Sequence, residues 1–230
     1  IGRHGRKGEN QMFRIVDEAK CRRYRSDCST VLKQVCSMLK EKGISAQFTL
    51  VGSGARNMVT RNGDGSFDLD YNLEITKASE EYWNDLRHLK DTIRILLDKA
   101  EKLNCFSESQ DSTSCLTALL HFKDDPTVKF KFDVAIVSRN SKGKLCRLIQ
   151  NKNAWGYGKD QYVWNEIPDS HDIAQKTRRL KAEGLWLTVR DRYIDRKNMY
   201  LSRWWDKDHP SFIAYIETVN EVYYQYLGQK

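Results

Sequence analysis

The chain has 230 residues, a formal net charge of +8 and a pI near 9.1, with 40% hydrophobic and 30% charged residues. This composition is typical of a globular protein with one substantial core or two small lobes. No apolar run approaches the roughly 20 residues that cross a bilayer, so we expect no membrane partner. The positive charge favours an anionic partner such as a nucleotide or a nucleic acid, and a basic surface without a specific partner is the alternative.

The N-terminal part of the chain is predicted to form one long helix or a helix pair. Residues 1–10 are basic and contain three glycines, so we expect them to be poorly ordered. Apolar residues then recur at helical spacing over residues 12–42, and Gly43 follows as a C-terminal cap signal. Three of the six cysteines fall at near-heptad spacing on one side of this helix: Cys21, Cys28 and Cys36. We expect them to be buried there as small hydrophobic residues, for which a reducing cytoplasm is the simplest setting. No Cys-x-x-Cys pair and no His cluster is present, which argues against a zinc site.

An acidic strand follows a glycine-serine turn. A strand at residues 47–51 ends in Gly52-Ser53-Gly54, and a loop around residues 62–65 precedes the next strand, residues 67–75. Apolar and polar residues alternate strictly along this next strand. One of its faces is therefore apolar, and the other carries Asp68 and Asp70.

The next elements are a helix and two strands. Residues 80–104 have the apolar spacing of an amphipathic helix, and residues 116–122 and 128–137 are predicted to be strands. In the second of these strands the apolar residues share one face, which leaves Asp133 on the other face with Lys129 and Lys131.

The last third of the chain is predicted to be mostly helical. Residues 151–170 are rich in Trp, Tyr, Gly and Asn, which favours a loop or hairpin, and helices follow at 170–182, 185–204 and 210–227. Their aromatic residues are predicted to pack as helix-face core: Trp186, Tyr193, Tyr200, Trp204, Tyr223, Tyr224 and Tyr226. We therefore predict an α+β fold. Residues 1–150 form a small mixed sheet with flanking helices, residues 151–230 form a helical accessory lobe, and the active cleft lies between them.

The acids have a spacing that suits metal-dependent phosphoryl chemistry. Two residues one strand repeat apart have Cα atoms roughly 6.5–7 Å apart, so Asp68 and Asp70 can converge on divalent cations about 3.5–4 Å apart. Asp133 adds a third hard oxygen ligand of the kind that Mg²⁺ prefers. Gly52 permits close backbone approach to phosphates, and Ser53 offers a hydroxyl at a helix start.

These motifs resemble those of the polymerase-beta-like nucleotidyltransferase superfamily. The matching residues are Val51-Gly52-Ser53, then Asp68-Leu69-Asp70-Tyr71, then Phe132-Asp133-Val134. The resemblance implies a nucleotidyltransferase-like mixed sheet and a magnesium-dependent enzyme. Such an enzyme transfers a nucleoside monophosphate from a nucleoside triphosphate, such as ATP, to an acceptor hydroxyl and releases pyrophosphate.

The resemblance also implies roles for individual residues. Asp68, Asp70 and Asp133 would hold two Mg²⁺ or Mn²⁺ ions, and Asp133 would also act on the acceptor hydroxyl. Gly52 and Ser53 would contact the nucleotide phosphates, as would Lys176 and Lys181 on the helix predicted at 170–182. RNA or a second nucleotide is favoured as acceptor over a cationic one because the chain is basic, and synthesis of oligonucleotide signals is one candidate activity.

Each motif also has a structural interpretation. Gly-Ser alone is usually a turn, an Asp-x-Asp strand is usually a solvated face, and Asp133 can pair with Lys129 or Lys131. Lys176, Lys181 and the arginines at 22, 23 and 25 can be solvated charges, or those arginines can grip an acidic acceptor. Four aromatic residues can stack on a base or pack between lobes: Trp155, Tyr157, Tyr162 and Trp164, of which packing is favoured for Trp164.

The alternative function is a non-catalytic nucleotide- or RNA-binding module of the same fold. Modification of a protein hydroxyl with a nucleotide is a third possibility. The sequence does not distinguish base preference, acceptor or oligomeric state.

Overall fold

The computed structural model describes residues 12–104, 110–111, 115–120, 130–151 and 161–228. The chain divides into two compact units. The first comprises Ile1–Ile15, Thr60–Gly63 and Pro168–Lys230, and the second comprises Val16–Val59 and Asp64–Ile167. The expectation of disorder for residues 1–10 lies outside the described residues, and the boundary predicted at residue 150 stays a prediction.

The second unit is built on a mixed sheet. Within the described residues its strands are β2 (Ser45–Val51), β4 (Phe67–Lys77), β5 (Gln110–Asp111), β6 (Leu116–Leu120), β7 (Phe130–Arg139), β8 (Leu145–Gln150) and β9 (Tyr162–Glu166). Their order is β2-β4-β7-β6-β5, with β8 pairing β7 and β9. Strands β4 and β7 are parallel, whereas the other pairs are antiparallel. Strand β9 lies within the segment 151–170, which was predicted to be a loop or hairpin, and it pairs with β8, a strand that was not predicted. Residues 152–160 of that segment lie outside the described residues.

Two long helices supply the core of this unit. They are α1 (Glu18–Glu41) and α4 (Leu86–Leu103), and the short helices α2 (Gly52–Ala55) and α3 (Glu80–Asn84) accompany them. The apolar face of β4 packs into the same buried cluster as both long helices. Tyr24 of α1 stacks on Phe130 with ring centroids 4.5 Å apart and meets Phe67 edge-on at 5.3 Å. Cys21 and Cys28 are buried in this cluster as small hydrophobes, as predicted.

Capping aspartates shorten two predicted helices. The helix predicted from residue 12 begins at Glu18, because the Asp17 carboxylate accepts a hydrogen bond from the Lys20 backbone N–H. The helix predicted at 80–104 is interrupted at Asp85, whose carboxylate accepts from the His88 N–H and starts a new helix. Helical periodicity alone therefore overestimated the length of both helices.

The first unit is mostly helical. Strands β1 (Phe13–Ile15) and β3 (Thr60–Asn62) pair antiparallel, and helices α5 (His171–Ala182), α6 (Trp186–Leu201) and α7 (Ser211–Tyr226) follow. Tyr193 and Tyr200 are buried as predicted. The core prediction is wrong for three other aromatic residues, which lie on exposed faces or beyond the end of α6: Trp204, Tyr224 and Tyr226.

None of the helices in the described part of the chain is both long enough and apolar enough to cross a bilayer.

One buried acid in α4 is destabilising. Glu101 is fully buried, and neither carboxylate oxygen has a hydrogen-bond partner among the described residues. Burial, together with the nearby Asp98 carboxylate, raises the pKa of Glu101 to about 8. The folded state therefore retains a proton that the unfolded chain releases near pH 4.5. Stability must fall as the pH rises from about 4.5 to 8.

We expect Glu101→Gln to stabilise the protein, because it removes the ionisation and keeps the shape of the side chain. The gain should be on the order of 2 to 4 kcal/mol at pH 8 and should disappear below pH 4.5. Denaturant unfolding of the two proteins across this pH range measures the difference. Asp98→Asn, which removes a neighbouring charge, should give a smaller gain. Equal stabilities at pH 8 would contradict the expectation.

Candidate metal centre

Three carboxylates converge on one face of the sheet. Asp68 and Asp70 alternate with the buried Leu69 and Tyr71 along β4, so both point away from the helices. Strand β7 lies parallel to β4 with Asp133 directly opposite Asp70. Each residue of this acidic triad, Asp68, Asp70 and Asp133, offers a carboxylate oxygen, and these oxygens all lie within 4.8 Å of one another. Asp68 is exposed and the other two are half-buried.

The triad is electrostatically strained. Burial and the charges of Asp68 and Asp133 raise the pKa of Asp70 to about 6, although Arg147 and Arg56 act in the opposite direction. Burial also raises the pKa of Asp133, although a hydrogen bond with Thr117 lowers it in part. Carboxylates held this close repel one another unless a proton or a cation lies between them.

The arrangement fits a divalent cation. Asp133 Oδ1 is buried and has no hydrogen-bond partner among the described residues, so it is a free acceptor. The donors are all hard carboxylate oxygens, the type that Mg²⁺ and Mn²⁺ prefer. A solvated acidic face does not explain a buried, unpaired carboxylate oxygen. Lys131 lowers the pKa of Asp133 through its charge, and Lys129 lies outside the described residues.

The predicted turn lies directly beside the triad. Strand β2 pairs with β4 so that Val51 is opposite Asp70, and α2 begins at the next residue. Gly52 has a φ of 61°, and a Cβ added to it would lie 2.3 Å from Asp70 Oδ2. Only glycine fits this position, because other residues are strained at a positive φ and because a Cβ would clash with the carboxylate. The structure therefore brings Gly52 against the acid, with Ser53 following in α2.

The two predicted lysines belong to the other unit. Lys176 Nζ pairs with Asp172 Oδ2 at 2.9 Å and donates to Asn220 Oδ1 at 2.9 Å and to the Tyr224 hydroxyl at 3.2 Å. Lys181 is exposed, with its Nζ 4.6 Å from the centre of the Trp186 ring. Both lysines have partners within the first unit, whereas the triad belongs to the second.

Two of the four aromatic candidates lie in the described part of the second unit. Trp164 packs against Trp83 with ring centroids 6.1 Å apart, and both residues belong to the second unit. Packing is therefore confirmed for Trp164 within this unit, whereas packing between lobes stays a prediction. Tyr162 also packs against the core, with Lys90 Nζ 4.9 Å above its ring. Trp155 and Tyr157 lie outside the described residues.

Two arginines near the triad were not predicted. Arg147 lies on β8 opposite Val137, which shares a face of β7 with Asp133. Arg56 follows α2 directly. Their charges reach Asp70, as its pKa indicates. A basic residue inside the apolar strand Leu145–Gln150 was the available signal for Arg147, but β8 was not recognised.

A cavity elsewhere in the second unit has a different character. It has a volume of about 320 Å³ and includes Trp83, Trp164 and Cys146 in its wall. It lies by Ser138 and Thr76, five and six residues beyond the acids, or roughly 15 to 20 Å at about 3.3 Å per residue. Its Arg139 is paired with Glu74 at 2.9 Å. Among the described residues, the wall of this cavity has no carboxylate that could hold a metal ion.

Comparison with known proteins supports the fold. No protein-family model matches the chain, and no curated protein matches it. A solved structure of Vibrio cholerae DncV bound to 3'-deoxy GTP has a TM-score of 0.55 and 11% identity, over 90% of this chain and 66% of that one. DncV cyclic AMP-GMP synthase with the linear intermediate 5' pppA(3',5')pG has a TM-score of 0.56 and 10% identity, over 90% and 68%.

A second protein shares the architecture. E. coli MS115-1 CdnC with ATP has a TM-score of 0.53 and 15% identity, over 92% of this chain and 62% of that one. The chain thus spans slightly less than two-thirds of the DncV structure with 3'-deoxy GTP and of CdnC. At these identities the likeness establishes the fold alone. The predicted α+β fold, a mixed sheet flanked by helices, is confirmed and is shared with these solved structures.

Proposed function

We propose that this protein is a metal-dependent nucleotidyltransferase that transfers a nucleoside monophosphate from a nucleoside triphosphate to an acceptor hydroxyl. The observation that carries the proposal is the acidic triad, whose carboxylate oxygens lie within 4.8 Å of one another beside Gly52. The fold supports it, because structures of similar fold contain ATP or a linear nucleotide intermediate.

The three residues of the triad would share the task of metal binding, and Asp133 would have a second task. Asp68, Asp70 and Asp133 would hold two Mg²⁺ or Mn²⁺ ions, which supply neutralisation of the triphosphate and a lower pKa for the attacking hydroxyl. Asp133 has a free carboxylate oxygen, so it also aligns the acceptor hydroxyl or accepts its proton. Gly52 keeps the chain close to Asp70 without a steric clash, and Ser53 contacts the phosphates.

The first unit would contribute cationic side chains. Lys176 and Lys181 lie on one helix and are proposed to bind the triphosphate. Lys176 is held in place by Asp172, Asn220 and Tyr224, so it is a pre-ordered charge rather than a freely moving one. Phosphate oxygens would compete with Asp172 for its ammonium group.

The acceptor we favour is a second nucleotide. The net charge of +8 suits an anionic acceptor. One structure of similar fold contains a linear dinucleotide intermediate, which supports nucleotide-to-nucleotide transfer and oligonucleotide-signal synthesis. RNA is the alternative acceptor, and its use is one outcome of the experiment.

The test is turnover of labelled triphosphates. Purified protein is incubated with each α-labelled nucleoside triphosphate, alone and in mixtures, with Mg²⁺ or Mn²⁺, and with or without RNA. We expect pyrophosphate release and a phosphatase-resistant nucleotide product, both lost with EDTA and in Asp68→Asn. Glu74→Gln is the matched control, since Glu74 lies on the same face of β4 but outside the triad.

Two results would contradict the proposal. Triphosphate binding without turnover across all acceptors would favour the non-catalytic binding module. Pyrophosphate release that Asp68→Asn leaves unchanged would show that the triad does not perform the reaction. A mass increase of the intact protein by one nucleotide would instead identify a protein hydroxyl as acceptor.

A further inference from the structure

Arg25 makes a two-point contact with the residues that follow Ser53. It is half-buried on α1, and its Nη2 donates one hydrogen bond to the Gly54 carbonyl oxygen at 2.6 Å. The same nitrogen donates a second to Asn57 Oδ1 at 2.8 Å. Arg25 therefore joins a long core helix to both ends of a four-residue segment.

The turn that contains this segment has few strong hydrogen bonds of its own. The Gly-Ser turn, defined as residues 52–57, contains a helix of four residues, which is too short to be stable alone. Its internal hydrogen bonds, from Arg56 N–H to the Ser53 oxygen and from Asn57 N–H to the Gly54 oxygen, are long, at 3.2 and 3.3 Å, and the Ser53 oxygen accepts a shorter one of 3.0 Å from Met58, which lies outside the turn. Asn57 also has a positive φ of 56°. The bonds from the Arg25 cation are shorter, and charge-assisted bonds are stronger than neutral ones.

The position of this turn matters because it adjoins the triad. Gly52 lies against Asp70, with no room for even a methyl group between them. Ser53 is the next residue and Arg56 lies three residues further along. A shift of the turn by a few tenths of an ångström would therefore change how Ser53 and Arg56 lie relative to the carboxylates.

We propose that Arg25 is a positioning residue that holds the Gly-Ser turn, and with it Ser53, in the geometry that receives the phosphates of the nucleoside triphosphate. This inference rests on the proposed function. It differs from the interpretation of Arg22, Arg23 and Arg25 as a patch for an acidic acceptor, because the Arg25 guanidinium is bonded to the protein itself.

The chain offers a matched control on the same helix. Arg22 is exposed, carries the same charge and lies one turn earlier on α1. Arg22→Ala removes a positive charge without touching the turn. Asn57→Gly is the complementary variant, because glycine tolerates the positive φ while the acceptor for Arg25 is lost.

The first measurement is steady-state kinetics with nucleoside triphosphate and Mg²⁺. We expect Arg25→Ala to raise KM for the triphosphate by about 10- to 100-fold, the range for losing hydrogen bonds to a charged group. Asn57→Gly should raise KM less, Arg25→Lys should restore part of the loss, and Arg22→Ala should stay within about twofold of the wild type. In a Ser53→Ala background, Arg25→Ala should add little, because both changes act on one contact.

The second measurement does not depend on turnover. Hydrogen–deuterium exchange of residues 52–57 should become faster in Arg25→Ala and in Asn57→Gly but not in Arg22→Ala. If Arg25→Ala does not fold, Arg25→Lys and Asn57→Gly decide the same question. Unchanged exchange in these variants overturns the inference.

The outcomes separate this inference from the function on which it rests. A wild-type protein that neither binds nor converts triphosphates defeats the proposed function, whatever the exchange data show. An active wild type whose KM is unaffected by Arg25→Ala defeats the positioning role alone. A KM effect that is undiminished in the Ser53→Ala background shows that Arg25 acts elsewhere, which also overturns the inference.

Discussion

Replacing Asp70 by Asn is expected to lower the rate of pyrophosphate release by about 10³-fold while making the metal-free protein more stable. The loss of rate follows from the position of Asp70 at the centre of the triad, between Asp68 on its own strand and Asp133 opposite. An amide lacks the negative charge that holds a divalent cation. The loss of metal-dependent stabilisation of the transition state should be about 4 kcal/mol, which corresponds to a 10³-fold lower rate.

The gain in stability follows from the raised pKa of Asp70. Because the folded protein holds this proton up to about pH 6 and the unfolded chain only to about 3.8, the wild type loses stability as the pH rises through that window. The asparagine variant has no such loss. Without metal, its advantage should be absent near pH 4 and should reach on the order of 2 to 3 kcal/mol above pH 6.

Thermal unfolding and kinetics of the same preparations check both effects. In EDTA at pH 7.5, Asp70→Asn should have the higher Tm. Saturating Mg²⁺ should raise the Tm of the wild type more than that of the variant, because at a given ligand concentration the form that binds more tightly is stabilised more. Glu74→Gln, on the same face of the same strand, should change neither rate nor metal response. A variant with wild-type turnover would remove Asp70 from the reaction.

Gly52→Ala should reduce turnover by about 10²-fold without changing any charged group. The added methyl carbon would meet Asp70 Oδ2 at 2.3 Å and Asp70 Cγ at 3.2 Å, so the carboxylate has to move. A displacement of about 1 Å in a catalytic constellation typically costs about 10²-fold in rate. Affinity for Mg²⁺ or Mn²⁺ should fall in parallel.

The control for this substitution is Gly43→Ala. Gly43 has a similarly positive φ of 77°, but an added Cβ meets nothing within 4 Å. Both variants carry the backbone strain of a side chain at positive φ, so both should lose some stability. Only Gly52→Ala should lose metal affinity and rate. Equal activity in the two variants would show that crowding of Asp70 is not important for the reaction.

Local sequence patterns determined the fold class, most helix positions and part of the candidate metal site. Strict alternation in residues 67–75 places Asp68 and Asp70 together on one face, and this depends only on the period of a strand. The α+β class and most helix positions follow from periodicity in the same way. The capping of helices by Asp17 and Asp85 is also written locally, as an aspartate directly before the first helical residue, but helical periodicity obscured it.

Tertiary structure decided the contacts between distant parts of the chain. The parallel register of β4 and β7 puts Asp133 opposite Asp70, although 62 residues separate them. The pairing of β8 with β7 brings Arg147 to the same face, and the packing of α1 brings Arg25 to the Gly-Ser turn. A sequence pattern specifies the face on which a side chain lies. Which distant side chains meet there depends on strand register and core packing, and these are set cooperatively by buried contacts throughout the second unit.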